Sequence, residues 1–304
     1  MPKADIAALL ALSAAVFIAI GNVIHQRAAR QVTDKPVGHV GLFARLLRYP
    51  WWWVGSLVGA IGFGLQAAAL GLGSVLLVQA LLVTALLFAL PINARVNHRR
   101  MTRREWTWAA LLAGAVAVVV TIGHPSAGHA RASITTWAVT LVVIGPALVF
   151  CLVAARRRSG PVVAVLLAIA SALSWALFAV LTKGVIGVLG GGLGALLRAP
   201  EFYGWMLAAL GATVWQQSSF RAGALTASLP TLTVCQPLLG SVLGIAMLGE
   251  VLRPGQAGWS TLAVAVVVML AATVALARDE AATAALGRSD GIAATRQPAM
   301  SPGR

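Results

Sequence analysis

The sequence predicts an all-α, polytopic membrane protein of about nine transmembrane helices, arranged as two repeats of inverted topology. Three observations lead to this prediction: an apolar composition, nine long apolar segments and an internal repeat. Of the 304 residues, 59% are hydrophobic and only 10% are charged, and the mean hydropathy is +0.87. A water-soluble domain of this composition could not cover its surface with polar side chains. The lipid bilayer is therefore the expected solvent.

Transmembrane helices need roughly 20 apolar residues each, because a helix rises about 1.5 Å per residue and the hydrocarbon core is about 30 Å thick. Nine segments are apolar and long enough: 5–26, 51–71, 75–93, 106–122, 133–154, 161–182, 203–220, 228–248 and 257–277. The second and third are separated only by Gly71-Leu72-Gly73-Ser74, where a tight turn is required. The stretches 37–47 and 185–197 are too short to span and are expected to be surface or re-entrant connections.

Positive charge is divided unequally between the two sides that this assignment creates. The side of the N-terminus holds five of the 23 Lys and Arg residues, and the other side holds 18. The five are Lys3, Arg131, Lys183, Arg198 and Arg253. Because basic loops remain in the cytoplasm, we expect a multi-pass plasma-membrane protein with its N-terminus outside and its C-terminus inside. The same rule accounts for the net charge of +15, so no nucleic-acid binding is predicted.

The internal repeat relates the two halves of the chain. A shift of 150 residues aligns Gln66 with Gln216, and a shift of 157 aligns Gln79-Ala80-Leu81-Leu82 with Gln236-Pro237-Leu238-Leu239. Five crossings separate the two copies, so they enter the membrane from opposite sides. The predicted organisation is a first repeat, a joining fifth helix with its loops, a second repeat and a disordered cytoplasmic tail, at residues 1–122, 123–160, 161–277 and 278–304. Inverted repeats are a recurrent plan of secondary transporters.

Polar side chains inside the predicted spans are mainly amides. The candidate substrate-binding residues are Gln66, Gln79, Gln216, Gln217, Gln236, Asn22, Trp175 and Lys183. Buried amides can hold a polar solute without a costly buried charge, but they also join helices to one another. Lys183 falls at a predicted helix end, where a snorkelling anchor is the alternative to a contact with substrate.

The eight acidic residues all fall at predicted helix ends, in loops or in the tail: Asp5, Asp34, Glu105, Glu201, Glu250, Asp279, Glu280 and Asp290. Magnesium sites usually include carboxylates, and proton relays commonly use acids within the membrane. The positions of the acids therefore disfavour both, and neither a metal site nor a cofactor is predicted. No nucleophile, base and orienting group fall together, so no enzyme is predicted.

Two motifs carry a resemblance to a known family. Pro237, Gly244 and Leu248-Gly249-Glu250 lie in and after the eighth segment, and Ser174-Trp175-Ala176 lies in the sixth. With these motifs the chain resembles the drug/metabolite transporter superfamily, in particular its EamA-like and NIPA-like branches, over most of residues 5–277.

The NIPA-like branch is the more similar in two places and differs in a third. Trp51-Trp52-Trp53-Val54-Gly55 and Gly123-His124-Pro125 look like segments of that branch, whose members are described as magnesium transporters. Where the branch has a Gly-Glu pair in its second helix, this chain has Gly62-Phe63, so the ion-binding carboxylate is missing.

The resemblance implies an integral membrane transporter that moves a small metabolite or drug-like solute by alternating access. A divalent-cation transporter and a non-transporting membrane scaffold are the alternatives. The expected partners are a small-molecule solute and membrane lipids, and homodimerisation is left open.

Overall fold

The computed structural model describes residues 3–32, 50–96, 100–158, 161–221, 225–254 and 258–296. Over these ranges the chain is helical, with no β-strand and one isolated antiparallel bridge between Ser126 and Val251. The predicted all-α class is confirmed for this part of the chain. The predicted connection 37–47 lies outside the described residues.

Eleven helices occupy the described ranges. In chain order they are α1 (Lys3–Val32), α2 (Pro50–Leu72), α3 (Val75–Leu82), α4 (Ala85–Val96), α5 (Arg103–Gly123), α6 (Ile134–Arg157), α7 (Pro161–Leu189), α8 (Leu193–Arg198), α9 (Pro200–Arg221), α10 (Leu225–Leu248) and α11 (Gly258–Arg296).

Within the described residues, eight helical segments are long and apolar enough to cross a membrane, which fits a multi-pass membrane protein. They lie in α1, α2, α5, α6, α7, α10 and α11, with α3 and α4 together forming the eighth. The remaining predicted span, 203–220, lies in α9. That helix is long enough at 22 residues but is less apolar than the other eight.

α9 runs antiparallel to α7 along most of its length. Near one end, Trp205 Nε1 donates a hydrogen bond of 2.9 Å to Thr182 Oγ1. Near the other end, Ser219 Oγ donates to the Ala164 carbonyl at 2.7 Å. The two contacts are separated by a stretch of α7 about 27 Å long, close to the thickness of a hydrocarbon core.

The predicted turn between the second and third spans is present at Gly73 and Ser74. Ser74 is the N-cap of α3, and its hydroxyl accepts a hydrogen bond of 3.1 Å from the Leu77 amide. A Cβ atom at position 73 would lie 2.7 Å from the Ala7 side chain, so the turn can pack against α1 only because residue 73 is glycine.

Two helices extend further than predicted. α7 continues to Leu189, so Lys183 is an internal residue and not a helix end. α11 continues to Arg296, so residues 279–296, expected to be disordered, are helical. This segment is rich in alanine, the strongest helix former. At 39 residues, α11 is about 58 Å long and exceeds the hydrocarbon core.

One end of the bundle gathers the connections between several helices. The Gly123 carbonyl, at the end of α5, accepts a hydrogen bond of 2.9 Å from the Arg253 amide, and the His129 amide donates to the Leu248 carbonyl at 2.7 Å. We call this the Glu250 end, where α2, α5, α7 and α10 finish and where α3, α6, α9 and α11 begin. The opposite end, where α5 begins, is called the Arg104 end.

Candidate functional site

The third span is interrupted near its middle. Between α3 and α4, the Thr84 amide donates to the Leu81 carbonyl at 3.0 Å and the Leu87 amide to the Thr84 carbonyl at 2.9 Å. These bonds reach back three residues, not the four of an α-helix, and Thr84 Oγ1 adds a bond of 2.5 Å to the Leu81 carbonyl. The predicted span 75–93 is present within Val75–Val96, but it consists of two helices, α3 and α4. The threonine hydroxyl, competing for a backbone carbonyl, gives the break a physical reason.

α10 is a single helix, but it contains residues that weaken its backbone hydrogen bonding. It contains Pro230 and Pro237, and a proline cannot donate the helical hydrogen bond of its position. One turn beyond Pro237, Gly240 faces α3: a Cβ atom at position 240 would lie 2.6 Å from the Gln79 side-chain nitrogen. The broken third span and the proline-containing helix α10 thus cross where Gln79 packs against the backbone of Gly240.

Gln79 brings an unsatisfied polar group to this crossing. Its side chain is 1% exposed, and its Nε2 has no hydrogen-bond partner within the described ranges. Leaving a buried donor unsatisfied costs about 1–3 kcal/mol. The amide therefore offers a donor to any polar group that can reach the crossing.

A buried ion pair lies at the beginning of α3. Lys183 Nζ, from α7, donates to Glu250 Oε1 at 2.7 Å. Glu250 is fully buried and accepts two further bonds, from the Val75 amide to Oε1 at 2.7 Å and from the Leu76 amide to Oε2 at 2.9 Å. The carboxylate thus satisfies free amides at a helix N-terminus, where the helix dipole also favours negative charge. One side chain holds α3, α7 and α10 together.

Two glycines make this placement of Glu250 feasible. Gly249 ends α10 with φ of 64°, and its amide donates to the Ile245 carbonyl at 3.1 Å, as in the left-handed helix terminus that glycine favours. A Cβ atom at position 244 would lie 2.8 Å from Glu250 Oε2. Gly244 therefore leaves the space that the carboxylate occupies.

Aromatic rings fill the contact between α2, α7 and α9. Phe63 stacks on Trp175 with ring centroids 5.5 Å apart, and Phe178 packs edge-on against Trp175 at 5.3 Å. The indole nitrogen of Trp175 donates to Gln216 Oε1 at 3.1 Å. Gln216 therefore joins α9 to α7, and the half-buried indole of Trp175 keeps a polar partner.

The predicted binding residues differ in their surroundings. Trp175 donates a hydrogen bond to Gln216. Gln79 lies on α3, whose first amides bind Glu250, and Glu250 in turn binds Lys183. Gln66 is buried on α2 and Gln236 is half-buried on α10. Asn22 on α1 and Gln217 on α9 are exposed.

The interpretation of Lys183 as a snorkelling anchor is wrong. Its side chain is 7% exposed and bonds to Glu250 inside the bundle. The carboxylate supplies the counter-charge inside the bundle, and α7 continues for six residues beyond Lys183.

Glu250, Gly240 and Thr84 were not among the predicted site residues. A signal for Glu250 was present, because a lysine close to an apolar span requires a counter-ion and the predicted topology puts few acids on the same side as Lys183. No comparable signal marks Gly240, which owes its importance to Gln79 on a distant segment.

Two buried acids, Glu250 and Glu105, have structural roles. Both Glu250 oxygens accept hydrogen bonds, and Glu105 forms a capping box with Thr102 at the beginning of α5. Among the described residues, no three His, Cys, Asp or Glu side chains lie close enough together to hold a metal ion.

Comparison with known proteins gives one informative relative. An uncharacterized protein of Corynebacterium glutamicum is 32% identical over 275 residues, which cover 90% of this chain and 95% of the relative. No family model and no solved structure matches the chain. With this identity over nearly the full length of both proteins, the chain belongs to the same family as the Corynebacterium glutamicum protein.

Proposed function

We propose that the protein is a transporter of the drug/metabolite type, which moves a small metabolite or drug-like solute across the cytoplasmic membrane by alternating access. The observation that carries this proposal is the crossing of the broken span α3–α4 with the proline-containing helix α10, at the unsatisfied amide of Gln79. Apolar segments that are broken or contain proline, in corresponding positions of two halves, are typical of transporter binding sites.

The pattern of helix contacts supports two inverted copies. α1 packs against α2 as α7 packs against α9, and α1 contacts α3 and α4 as α7 contacts α10. The contacts of α3 with α10 and of α5 with α11 join equivalent helices of the two halves. A twofold axis in the membrane plane, passing near the α3–α10 crossing, would relate these pairs.

The same proposal makes α9 the ninth span. Its contacts with α7 extend over about 27 Å, and its polar residues Gln216 and Ser219 face α7 through hydrogen bonds. With nine crossings, the Glu250 end is extracellular and the arginine-rich Arg104 end is cytoplasmic. Lys183 and Arg253, two of the five basic residues expected outside, do lie at the Glu250 end.

In this mechanism, amides on α3 and α10 receive the solute. Gln79 supplies a donor at the crossing, and Gln236 is its counterpart in the repeat, half-buried on the opposite helix. An amide both donates and accepts hydrogen bonds, which suits a neutral or cationic polar solute. Trp175 and Gln216 form the adjoining wall.

In this mechanism, the Lys183–Glu250 pair keeps the Glu250 end of the bundle closed. Glu250 belongs to the second repeat, whereas the amides of Val75 and Leu76 belong to the first. The two halves cannot separate at this end until the carboxylate leaves the N-terminus of α3. The conformation described here is thus closed towards the outside.

Counterflow in proteoliposomes tests the function. Wild-type protein is screened against neutral and cationic metabolites, and Mg²⁺ entry is followed separately with an internal dye. The Gln79→Leu, Gln236→Leu double variant is expected to lose tenfold or more of the flux, on the order of two lost hydrogen bonds of about 1 kcal/mol each. Thr213→Val, on the exposed face of α9, serves as the control.

Three results would contradict the proposal. Unchanged flux in a folded double variant would remove the amides from the mechanism. Mg²⁺ entry without solute flux would favour the divalent-cation alternative, and no flux of any kind together with stable co-purification of one envelope protein would favour a scaffold.

A further inference from the structure

A groove between α5 and α11 opens at the Arg104 end. It encloses about 420 Å³ and is lined by Arg104, Trp108, Leu270, Ala271, Val274, Ala275 and Arg278. Its walls are apolar apart from the two arginines, both of which are exposed. The groove thus combines two guanidinium groups with an apolar surface.

The two arginines lie at the level expected for lipid headgroups. Arg104 is the second residue of α5, and Arg278 is the penultimate residue of the apolar segment Gly258–Asp279. Trp108 lies one turn further into the span, as aromatic residues do at a membrane interface. In a membrane, the charged side chains would therefore lie at the level of the headgroups and the apolar walls beside the acyl chains.

A second groove lies between the same two helices, further from the Arg104 end. It encloses about 590 Å³ and includes Thr107, Leu111, Gly114 and Val118 of α5. From Thr107 to Val118 the helix rises about 16 Å, half of a hydrocarbon core of about 30 Å. A Cβ atom at Gly114 would meet nothing within 4 Å, so the groove has free space at this position.

We propose that this seam binds a membrane phospholipid with a net negative headgroup, its phosphate between Arg104 and Arg278 and an acyl chain along α5. Guanidinium groups bind phosphate oxygens through paired, charge-assisted hydrogen bonds. A zwitterionic lipid has the same phosphate, but it also brings a cationic amine towards the two arginines. The site therefore selects an anionic lipid, and it does so whether or not the protein transports a solute.

Native mass spectrometry of the full chain in detergent tests the site. Phosphatidylglycerol and phosphatidylcholine are offered at equal concentration, and bound lipids are counted. The Arg104→Gln, Arg278→Gln variant is expected to hold about tenfold less phosphatidylglycerol, because both guanidinium groups that bind the phosphate in the groove are lost. The matched control, Arg156→Gln, Arg157→Gln, removes the same charge from exposed positions at the end of α6, outside the two grooves. It is expected to change binding less than about twofold, because charges that make no direct contact with the phosphate are screened by salt.

A second variant tests the acyl-chain groove without changing charge. Gly114→Phe fills free space on an exposed helix face and replaces a poor helix former, so the fold is expected to be retained. It should also lower phosphatidylglycerol binding, with both arginines present. Equal binding of phosphatidylcholine, or equal losses in the arginine variant and its control, would overturn the proposal. A dimer that dissociates on Gly114→Phe, with no loss of lipid, would instead make the seam a contact between two copies.

Discussion

At the Glu250 end, opposite charges form ion pairs between helices, whereas at the Arg104 end basic side chains are exposed on the surface. Lys183 pairs with Glu250 and Arg131 with Glu201, each joining two different helices or their flanking loops. Arg104 and Arg156 are exposed at the other end. Opposite charges attract and like charges repel, so electrostatic interactions favour contact between helices at the Glu250 end but not at the Arg104 end.

In the proposed alternating-access mechanism, this difference would give the two ends different roles. Closure of the Glu250 end depends on a few directed contacts and can be weakened by single substitutions. Opening that end would also expose a charge pair to water, which lowers the penalty of separating it. The Arg104 end has its charges in the solvent already, so it is suited to contacts with lipid headgroups.

The largest expected effect is that of Lys183→Met. It leaves the Glu250 carboxylate buried without its cation, which costs about 3–5 kcal/mol of stability. Denaturant unfolding of the protein in detergent measures the loss. The double variant Lys183→Met, Glu250→Gln should recover much of it, because the buried charge is gone. A double variant as unstable as the single one would show that the pair is not what the lysine contributes.

A smaller effect is expected at the crossing, from Gly240→Ala. The new methyl group would lie 2.6 Å from Gln79 Nε2 and force the amide aside. The expected loss of stability is about 1–3 kcal/mol. Adding Gln79→Ala removes the obstacle and should restore stability. A double-mutant cycle on unfolding free energies measures the coupling, and strictly additive values would mean that the two helices do not meet there.

The smallest effect is expected from Arg131→Gln. This pair also lies at the Glu250 end, but the Arg131 side chain is 51% exposed, so water screens the charge. A loss below about 1 kcal/mol is expected, and it should shrink further in high salt. A loss as large as that of Lys183→Met would contradict the view that burial distinguishes the two pairs.

The spans could be predicted because the bilayer sets a length that apolar runs must meet, and the turn at Ser74 could be predicted because glycine and a capping serine mark it. The break at Thr84 could not, since neither glycine nor proline accompanies it. The resemblance to drug/metabolite transporters remains an interpretation carried by a few short motifs.

The candidate site was predictable only as single side chains. The amides were identified because they are polar in apolar segments, but Gln79 and Gly240 meet through packing between segments 161 residues apart in sequence. Glu250 was placed at a helix end, which is correct, yet its burial depends on Gly244 and on the N-terminus of α3. Such contacts are properties of the assembled bundle.

The most direct test of the central claim is cysteine labelling at the crossing. In a variant with Cys151 and Cys235 replaced, Gln236→Cys is exposed to a membrane-impermeant thiol reagent from each side of oriented vesicles. Val142→Cys, on the exposed face of α6, is the control, and it shows how fast a cysteine on the outer surface of the bundle reacts.

In the Gln236→Cys variant, the cysteine is expected to react faster from the Arg104 side when the Lys183–Glu250 pair is intact. With Lys183→Met, Glu250→Gln, reaction from the Glu250 side should rise. If the cysteine reacted from neither side, with or without the Lys183–Glu250 pair, the crossing would have no water-accessible path. That result would contradict transport by alternating access.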